Sequence, residues 1–295
     1  MYYPVYALLY CVSLLPFWIL YGISDLVYIL LYHVIGYRRK LVEYNLSVAF
    51  PDKPAAERKK IEKAFYHNFL DNWIETLKLL SMSRASLEQH ITGDLDIFHR
   101  LSAEGKTCQV LLGHLFNWEL GNSLVAVNGR YTLIIAYSPI TNKIVDRLML
   151  HLRQRFGTIF VPYNDMRRSM LPYRNRQYAL ALVADQSPSN PAKSYWIDFL
   201  HRRTAFLPGP EKGARAGKLP VVFVGFSKPG RGRYHITASL LCEDASLTAP
   251  GELTRWYVSA LEENIRRQPE LYLWSHNRWK NSWREEFGDK LVLQK

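Results

Sequence analysis

The sequence predicts an α/β protein in which a mixed sheet is flanked by helices, with a hydrophobic membrane-anchor helix at the N-terminus. From residue 107 onward, short apolar runs alternate with polar helical stretches, a pattern typical of a sheet covered on both faces. Hydrophobic residues make up 48% of the 295 positions and aromatic residues 14%, which is enough for a large core and excludes a disordered chain. Residues 1–37 contain neither Lys nor Arg, so an apolar N-terminal segment precedes a basic body, residues 38–295.

The N-terminal segment is long and apolar enough for a membrane helix. Met1 to Ser24 carries no charged side chain, and a run of this length can cross a bilayer. Pro16 would kink the helix, and Asp25 is unfavourable in the middle of a bilayer. We therefore expect a helix over about residues 5–22, followed by an amphipathic stretch at the membrane interface.

Two other interpretations of this segment are a cleaved signal peptide and a buried core helix. A signal peptide would need a basic n-region and a small-residue cleavage site, and the sequence shows neither. The core helix stays open as an alternative, because apolarity alone does not exclude it. Arg38, Arg39 and Lys40 follow at once, and the positive-inside rule then places the body in the cytoplasm. We predict a membrane anchor and interfacial segment over 1–37 and a cytoplasmic domain over 38–295.

The body carries the basic charge of the protein. All 38 Lys and Arg residues lie in 38–295 together with 25 of the 26 acids, which gives that part a formal charge of +13. Such a charge attracts anionic partners, for example phosphorylated lipids and acidic carrier proteins. The three cysteines are scattered along the chain and indicate neither a disulfide framework nor a zinc site.

The elements of the body follow from hydrophobic spacing. Between residues 55 and 80, apolar side chains recur every four residues, which predicts an amphipathic helix. The predicted strands are Gln109–Leu112, Tyr131–Ala136, Thr158–Pro162, Ala179–Ala184, Val221–Phe226 and Tyr234–Leu240. The other predicted helices are Trp118–Val127, Thr141–Phe156, Pro208–Ala216 and Thr254–Arg267. Lys228–Gly232 predicts a basic hairpin between the last two strands. Because neither a repeat nor a linker interrupts these elements, we expect one domain.

Several standard catalytic motifs are absent from the sequence. Gly225–Pro229 resembles a nucleophile elbow that lacks its second glycine, so a serine hydrolase is not supported. Gly209–Lys218 lacks the spacing of a phosphate-binding P-loop, and no HExxH occurs. We therefore expect neither a metal ion nor a resident cofactor.

The strongest candidate for chemistry is the junction of a predicted strand with a predicted helix. His114 ends the strand and Glu119 begins the helix. At such a junction the carboxylate can fold back onto the imidazole, fix its tautomer and leave the other ring nitrogen as a general base. A structural role is the alternative, because nine His and 26 acidic residues produce about one such spacing by chance.

Sequence blocks around this pair resemble those of a known family over nearly the whole chain. The blocks are Gly36–Arg39, Asn45–Pro51, Glu75–Lys78, Gly113–Glu119, Asn142–Gly157, Ala184–Gln186, Phe199–Pro210 and Pro269–Lys280. In this order they resemble the lysophospholipid acyltransferase-like family and, within it, the late (lauroyl- and myristoyl-type) acyltransferases of lipid A biosynthesis. The ordered set is specific, whereas any single block is not.

The resemblance implies an O-acyltransferase of the bacterial inner membrane, part of lipopolysaccharide biosynthesis. It would move a fatty acyl chain from acyl carrier protein, or from acyl-CoA, to a hydroxyl of a lipid A precursor, a phosphorylated glycolipid. His114 would be the general base, oriented by Glu119, and the hydroxyl would attack the thioester without an acyl-enzyme. Arg153 would stabilise the resulting oxyanion or hold a substrate phosphate. The alternative for Arg153 is a solvated charge on a helix face.

Five further side chains are candidates for substrate binding, namely Arg155, Asp185, Gln186, Arg278 and Lys280. Arg155 is the second choice for the cation at the reacting centre. Asp185 and Gln186 end a strand at an edge where ligand crevices usually form, with a cap or a turn as the alternative. Arg278 and Lys280 would bind lipid phosphates or, alternatively, form surface ion pairs.

Two positions depart from the family pattern. Phe116 stands where many members have Gly, which would narrow the space beside His114, and Ser138 stands where many have Arg. The second difference removes an expected phosphate contact. Another glycolipid or an aminolipid is therefore an alternative acceptor within the same family.

Two functions of other classes are also compatible with the composition. A non-catalytic, membrane-anchored protein that binds anionic lipid or nucleic acid would explain the anchor and the +13 charge of the body, but it would leave the His–Glu junction without a role. The sequence contains no recognisable nucleic-acid-binding module, so we expect no nucleic-acid partner. A thioesterase or lipase-like hydrolase would use His114 to activate water instead of a lipid hydroxyl.

Overall fold

A computed structural model describes residues 2–292 of the chain. The α-helices are α1 (Tyr2–Leu14), α2 (Phe17–Tyr28), α3 (Arg39–Ala49), α4 (Ala55–Lys78), α5 (Arg84–His90), α6 (Asp96–Ala103), α7 (Trp118–Asn128), α8 (Lys143–Gln154), α9 (Met166–Ser169), α10 (Gly209–Ala216) and α11 (Glu252–Arg267). A π-helical segment, Ile29–Ile35, continues α2. The strands are β1 (Ile91–Asp94), β2 (Cys108–Leu112), β3 (Thr132–Tyr137), β4 (Ile159–Pro162), β5 (Tyr178–Val183), β6 (Tyr195–Phe199), β7 (Arg202–Phe206), β8 (Val221–Gly230) and β9 (Arg233–Cys242).

A seven-stranded mixed sheet forms the centre of the body, with the strand order β1-β9-β8-β2-β5-β3-β4. β8 and β9 pair antiparallel, and the other neighbours in this sheet pair parallel. All five residues of β2 are buried, as expected for a central strand with helices on both faces. The predicted fold class, a mixed sheet flanked by helices behind an apolar N-terminal helix, is confirmed.

Two parts of the β-structure were not predicted from the sequence. β1 extends the sheet at one edge, and β6 and β7 form a separate two-stranded antiparallel hairpin. In β1 only Ile91 is buried, and β7 begins with Arg202 and Arg203. β1 and β7 therefore lack the apolar run by which the other strands were recognised, whereas β6 is apolar at four of its five positions and was missed all the same.

The N-terminal segment forms two helices instead of the one helix predicted over about residues 5–22. α1 ends at Leu14 and α2 begins at Phe17. The break falls at Pro16 because proline has no N–H to continue the helical hydrogen bonds and its ring clashes with the preceding turn. We refer to residues 2–35 as the N-terminal helices.

One side of α2 packs against α4, and the other side is open. Leu20 is fully buried and Ser24 is 2% exposed, whereas Trp18 and Leu26 on the open side are 75% and 69% exposed. By length and composition, Phe17–Ile35 is the one helix of the described residues that could cross a membrane, with a mean hydropathy of 1.6. Phe17–Ile35 is thus attached to the body along one face and offers an apolar surface along the other.

Charged side chains join α2 to the body. Nη2 of Arg231, in the turn between β8 and β9, lies 2.7 Å from a carboxylate oxygen of both Asp25 and Asp71. Ser24 Oγ donates to Asp71 over 2.8 Å, and Lys228 Nζ lies 3.6 Å from the same carboxylate. Asp25, the single acid of residues 1–37, therefore has a cationic partner in the body.

We expect Asp71→Ala to lower the free energy of unfolding by about 2 kcal/mol, because Arg231 and Lys228 lose a buried anionic partner. The loss stays below that of a fully buried pair, since Arg231 is partly exposed. Chemical denaturation of the purified protein measures the change. Glu88→Ala, which removes an exposed pair with Arg84, is the control and should leave the denaturation midpoint unchanged. Equal midpoints for Asp71→Ala and wild type would contradict the expectation.

Candidate active site

Two neighbouring parallel strands bring the central residues of the site together. β2 and β5 pair in a register that places Leu112 opposite Val183. His114 and Asp185 each follow their paired residue by two positions, so both side chains leave the sheet at its carboxyl edge. Gly113 is required by close packing at this point, since a Cβ there would lie 2.4 Å from a leucine methyl of α11. The strand register therefore determines the contact between His114 and Asp185.

Asp185 holds the imidazole of His114 in one orientation. Nδ1 of His114 lies 2.6 Å from Oδ1 of Asp185, and the backbone N–H of His114 donates to Oδ2 over 3.0 Å. This double contact assigns the proton of the neutral ring to Nδ1 and makes Nε2 the acceptor. Gln186 Nε2 lies 3.1 Å from His114 Nε2, where an incoming hydroxyl would donate.

The two partners shift each other's pKa. Burial lowers the pKa of His114, but the charge and hydrogen bond of Asp185 outweigh burial and the repulsion from Arg153, so the pKa lies above the ordinary 6.5. Burial raises the pKa of Asp185, whereas the charge and hydrogen bonds of His114 and the charge of Arg278 lower it, with a net result of about 2. Asp185 is therefore ionised and stabilises the imidazolium that forms when His114 accepts a proton.

The structure pairs Glu119 with Arg153 rather than with His114. Nε of Arg153 donates to both carboxylate oxygens, over 2.9 and 3.2 Å, and Nη2 donates over 2.7 Å. Burial raises the pKa of Glu119, and the charge and hydrogen bonds of Arg153 act against that rise. The prediction that Glu119 orients His114 is thus corrected, because Asp185 occupies the Nδ1 position. Arg153 is also not a solvated charge on a helix face, since its side chain is only 15% exposed.

The loop between β2 and α7 is fixed by main-chain hydrogen bonds. The N–H of Phe116 donates to the carbonyl of Leu271 over 2.9 Å, and the carbonyl of His114 accepts from Leu273 over 3.1 Å. The side-chain oxygen of Asn117 accepts from the first turn of α7 over 3.2 Å and so caps the helix. Asn117 therefore shapes the loop that carries His114.

A cavity of about 120 Å³ adjoins His114 between α4, α7 and α8. The polar side chains that line it are Asn72, Thr76, His114, Glu119 and Arg153. The apolar ones are Phe69, Trp73, Phe116, Trp118, Met149 and Leu273. A proton acceptor and a guanidinium thus face one partly apolar cavity, an arrangement suited to a substrate with an acyl chain and a developing negative charge.

A second void lies between α7 and the sheet. Its walls are almost entirely apolar, and Trp118 contributes to both cavities. Its volume is about 30 Å³. Within residues 2–292, no cluster of three His, Cys, Asp or Glu side chains could hold a metal ion.

The other candidates lie outside the lining of the main cavity or at its margin. Arg155 donates Nη1 to the carbonyl of Leu79 over 2.6 Å and so stabilises the C-terminal end of α4. Its predicted place at the reacting centre is corrected accordingly. Gln186 is exposed and contacts the His114 ring. Lys280 is exposed, and its predicted contact with a phosphate stays a prediction.

Arg278 is buried, contrary to the predicted roles in phosphate binding or surface pairing. It is 2% exposed, donates to the carbonyl of Ala205 over 2.8 Å and lies 4.4 Å from the ring centroid of Phe206. A guanidinium enclosed in this way has no access to a lipid phosphate. Its charge acts instead on Asp185, whose pKa it helps to lower.

His276 also contributes to the site, although it was not predicted from the sequence. Its Nε2 accepts a hydrogen bond from the backbone N–H of Ser187 over 3.2 Å, which fixes the loop behind Asp185. Burial, aided by nearby cations and opposed by Asp185, lowers the pKa of His276 to about 4. The ring is therefore neutral at physiological pH, as this acceptor role requires. The only sequence signal was its place in the same block as Arg278.

Comparisons with known proteins identify the family of this chain. Residues 1–281 match the family described as bacterial lipid A biosynthesis acyltransferase, and the chain belongs to this family. It is 23% identical over 248 residues to the lipid A biosynthesis palmitoleoyltransferase of Escherichia coli (strain K12), an overlap that covers 82% of this chain and 79% of that protein. The lipid A biosynthesis acyltransferase of Shigella flexneri shows the same identity and coverage. The resemblance inferred from the sequence blocks is confirmed, and the protein is an acyltransferase of lipid A biosynthesis.

We expect Asp185→Asn to move the pKa of His114 below 6.5, because burial and the charge of Arg153 then act without the opposing carboxylate. An NMR titration of the imidazole measures this, with the signal assigned by its absence from His114→Gln. The wild-type ring should titrate above 6.5. An unchanged titration midpoint in Asp185→Asn would show that the carboxylate does not control the ring.

The same pair should make stability depend on pH. The contribution of His114 is complete below pH 6.5 and is lost as pH rises through its higher folded-state pKa. The contribution of Asp185 is complete above pH 3.8 and is lost as pH falls through about 2. The difference in unfolding free energy between wild type and Asp185→Asn should therefore be largest between pH 3.8 and 6.5. Denaturation at a series of pH values measures it, and a difference that is constant with pH would contradict this account.

Proposed function

We propose that the protein transfers a fatty acyl chain from an acyl-thioester carrier to a hydroxyl of a lipid A precursor, with His114 as general base. The observation that carries the proposal is the 2.6 Å contact of Asp185 with Nδ1 of His114, which leaves Nε2 for a substrate hydroxyl beside the cavity. Histidine–carboxylate pairs of this geometry activate hydroxyl groups on unrelated folds. Family membership supports the acyltransferase activity and the lipid A class of acceptor.

In the proposed step, Nε2 of His114 takes the proton of the acceptor hydroxyl while the hydroxyl oxygen attacks the thioester carbonyl. The C–O bond of the new ester forms and the C–S bond of the thioester breaks. The imidazolium then returns the proton to the leaving thiolate of the carrier. Asp185 stays ionised throughout and stabilises the imidazolium, in keeping with the raised pKa of His114. The step needs no acyl-enzyme.

Arg153 is the proposed cation for the oxyanion that develops during attack. Its guanidinium lines the same cavity as His114 and is largely shielded from water, which strengthens its effect on a nearby negative charge. Glu119 accepts from Nε and Nη2 and so fixes the plane of the guanidinium. We therefore assign Glu119 as a positioning residue for Arg153.

We propose acyl carrier protein as the donor, with acyl-CoA as the alternative. Both are anionic, and the net charge of +12 would accelerate their encounter with the protein. Gln186 and Lys280, both exposed, are the proposed contacts for the donor or for a phosphate of the acceptor. A second glycolipid or an aminolipid is the alternative acceptor. The mechanism involves no metal ion or resident cofactor.

We propose that residues 1–37 hold the catalytic body, 38–295, on the cytoplasmic face of the inner membrane. The open side of α2 is apolar, and the basic run Arg38–Lys40 follows the N-terminal helices, as the positive-inside rule expects. α2 packs on α4, and α4 also lines the cavity at Phe69 and Trp73. A membrane in contact with α2 would therefore lie close to the cavity that a lipid acceptor must reach.

We expect His114→Ala to reduce acyl transfer from acyl carrier protein to a lipid A precursor by about 1,000-fold, the usual contribution of a general base. Mass spectrometry of the lipid product measures transfer. His201→Ala, which removes an exposed histidine bonded to Arg266, is the control and should retain full activity. Undiminished transfer by His114→Ala would refute the general-base role, and release of free fatty acid by the wild type in place of acylated lipid would favour a hydrolase.

The lipids of cells that lack the protein distinguish the possible acceptors. Loss of one acyl chain from lipid A, measured by mass spectrometry and restored by the wild-type gene but not by His114→Ala, is the expected result. An unchanged lipid A with loss of an acyl chain from another glycolipid or from an aminolipid would identify the alternative acceptor.

We expect the double substitution Trp18→Ser and Leu26→Ser to weaken binding to vesicles that contain anionic phospholipid, because it removes apolar surface from the open side of α2. Flotation of the purified protein with vesicles measures binding. The matched control is Tyr163→Ser with Leu247→Ser, which removes two exposed apolar side chains of the body (62% and 84% exposed). Equal flotation of both variants would contradict the assignment of this surface to the membrane.

A further inference from the structure

A polar stripe on α4 faces the N-terminal helices. His67, Asp71, Glu75 and Lys78 recur every three or four residues and therefore lie on one side of the helix. Each side chain contacts an N-terminal partner, namely the ring of Tyr28, the hydroxyl of Ser24, the hydroxyl of Tyr21 and the carbonyls of Ser13 and Leu15. Polar contacts of this kind inside an apolar interface fix the position of the N-terminal helices on the body.

Glu75 is the member of this stripe that also reaches the catalytic loop. Its side chain is 1% exposed. Oε1 accepts from the hydroxyl of Tyr21 over 3.0 Å. Oε2 accepts from Nδ2 of Asn117 over 3.0 Å and from the hydroxyl of Tyr234 over 2.7 Å. One buried carboxylate thus joins α2, α4, β9 and the loop after β2.

The contact with Asn117 links Glu75 to the reacting groups. Asn117 is fully buried, lies three residues after His114 and two residues before Glu119, and caps α7 with its other side-chain atom. A shift of Asn117 would move the loop of His114 and the first turn of α7 together. Because Glu119 in that turn holds Arg153, the shift would reach the proposed oxyanion site as well.

We propose that Glu75 is a positioning residue for acyl transfer, which holds the His114–Glu119 loop in its reactive position and couples that position to the docked N-terminal helices through Tyr21. This inference rests on the proposed role of His114. It also gives a role to Glu75 of the Glu75–Lys78 sequence block, which takes no other part in the proposed mechanism.

The chemistry of the three donors explains why an acid is needed at this position. The amide nitrogen of Asn117 can only donate, and a carboxylate accepts from it and from both tyrosine hydroxyls at once. Glutamine has the same shape but one acceptor oxygen, so its N–H group would face either the N–H group of Asn117 or the hydroxyl of Tyr21, which would then have to accept instead of donate. Burial raises the pKa of Glu75, and Lys228, Asn117 and Tyr234 oppose that rise.

The first test is Glu75→Gln in the purified full-length protein, compared with Glu62→Gln. Glu62 is a glutamate on the same helix, also 1% exposed, and is paired with Lys59. We expect Glu75→Gln to lower kcat by about 10- to 100-fold, with KM for the acyl carrier unchanged, because misplacement of reacting groups affects the chemical step. Glu62→Gln should keep the wild-type kcat even where it lowers the melting temperature. A wild-type kcat in folded Glu75→Gln would overturn the inference.

The second test is a rescue that reverses the hydrogen bond. In Glu75→Gln with Asn117→Asp, the new amide donates to the new carboxylate, and Asp remains a good cap for α7. We expect the double variant to recover kcat to within about 5-fold of wild type, whereas each single variant stays low. A double variant no more active than the worse single variant would overturn the proposal.

Two further variants apply if Glu75→Gln does not fold. Tyr21→Phe and Tyr234→Phe each remove one donor without creating an unpaired amide, and a reduced kcat in both would support the proposal. A wild-type kcat in both would overturn it. His114→Ala separates the two hypotheses: if His114→Ala is active, the proposed function fails, whereas an inactive His114→Ala beside a fully active Glu75→Gln refutes only the role of Glu75.

Discussion

The parallel pairing of β2 with β5 is the constraint on which the site depends. It places His114 and Asp185 at equal distances beyond one pair of neighbouring residues, and the 2.6 Å contact follows from that register. A buried carboxylate without a partner would be costly, and a buried imidazole without one would lose its proton too readily. Asp185 therefore stabilises the protonated form of His114, and His114 stabilises the ionised form of Asp185. A shift of the register by one residue would direct the two side chains to opposite faces of the sheet.

The helix α4 connects the proposed membrane contact to the site. Its polar stripe contacts the N-terminal helices, and other residues of the same helix, among them Phe69 and Trp73, line the cavity beside His114. Glu75 belongs to the polar stripe, and its hydrogen bond with Asn117 also connects it to the loop that carries His114. One rigid helix thus sets the distance between the apolar outer surface and the reacting groups. This arrangement suits an enzyme whose acceptor lies in a membrane.

The strands and helices of the body were predictable because their apolar periodicity is a local property. The helix predicted over 55–80 agrees with α4 to within a few residues. The strands predicted before and after His114 in the sequence agree equally well with β2 and β3. Two of the exceptions have local reasons as well. β1 is short and half exposed, and β7 opens with two arginines, so that neither strand has the apolar pattern of a core strand.

The partners of the site residues were less predictable. Glu119 was assigned to His114 because it is near in the sequence, but the packing of α7 against α8 brings Arg153 to the carboxylate instead. Arg278 was expected to bind a lipid phosphate or to form a surface ion pair, yet it is enclosed near Asp185 and stabilises that charge. The edge of the sheet on which Asp185 lies was predictable from the end of its strand. Its contact with His114 depended on which strands are neighbours.

The sequence by itself determined the α/β class, the apolar N-terminal segment, the basic body, the general-base candidate and the family, because these are expressed in composition, periodicity and the order of short blocks. Tertiary structure decided which carboxylate orients His114, which acid holds Arg153, and that Pro16 divides the N-terminal segment into two helices docked on α4. The physical reason is distance along the chain. The partners of His114 and Arg153 are 71 and 34 residues away, and only the packing of the sheet and its helices brings such residues together.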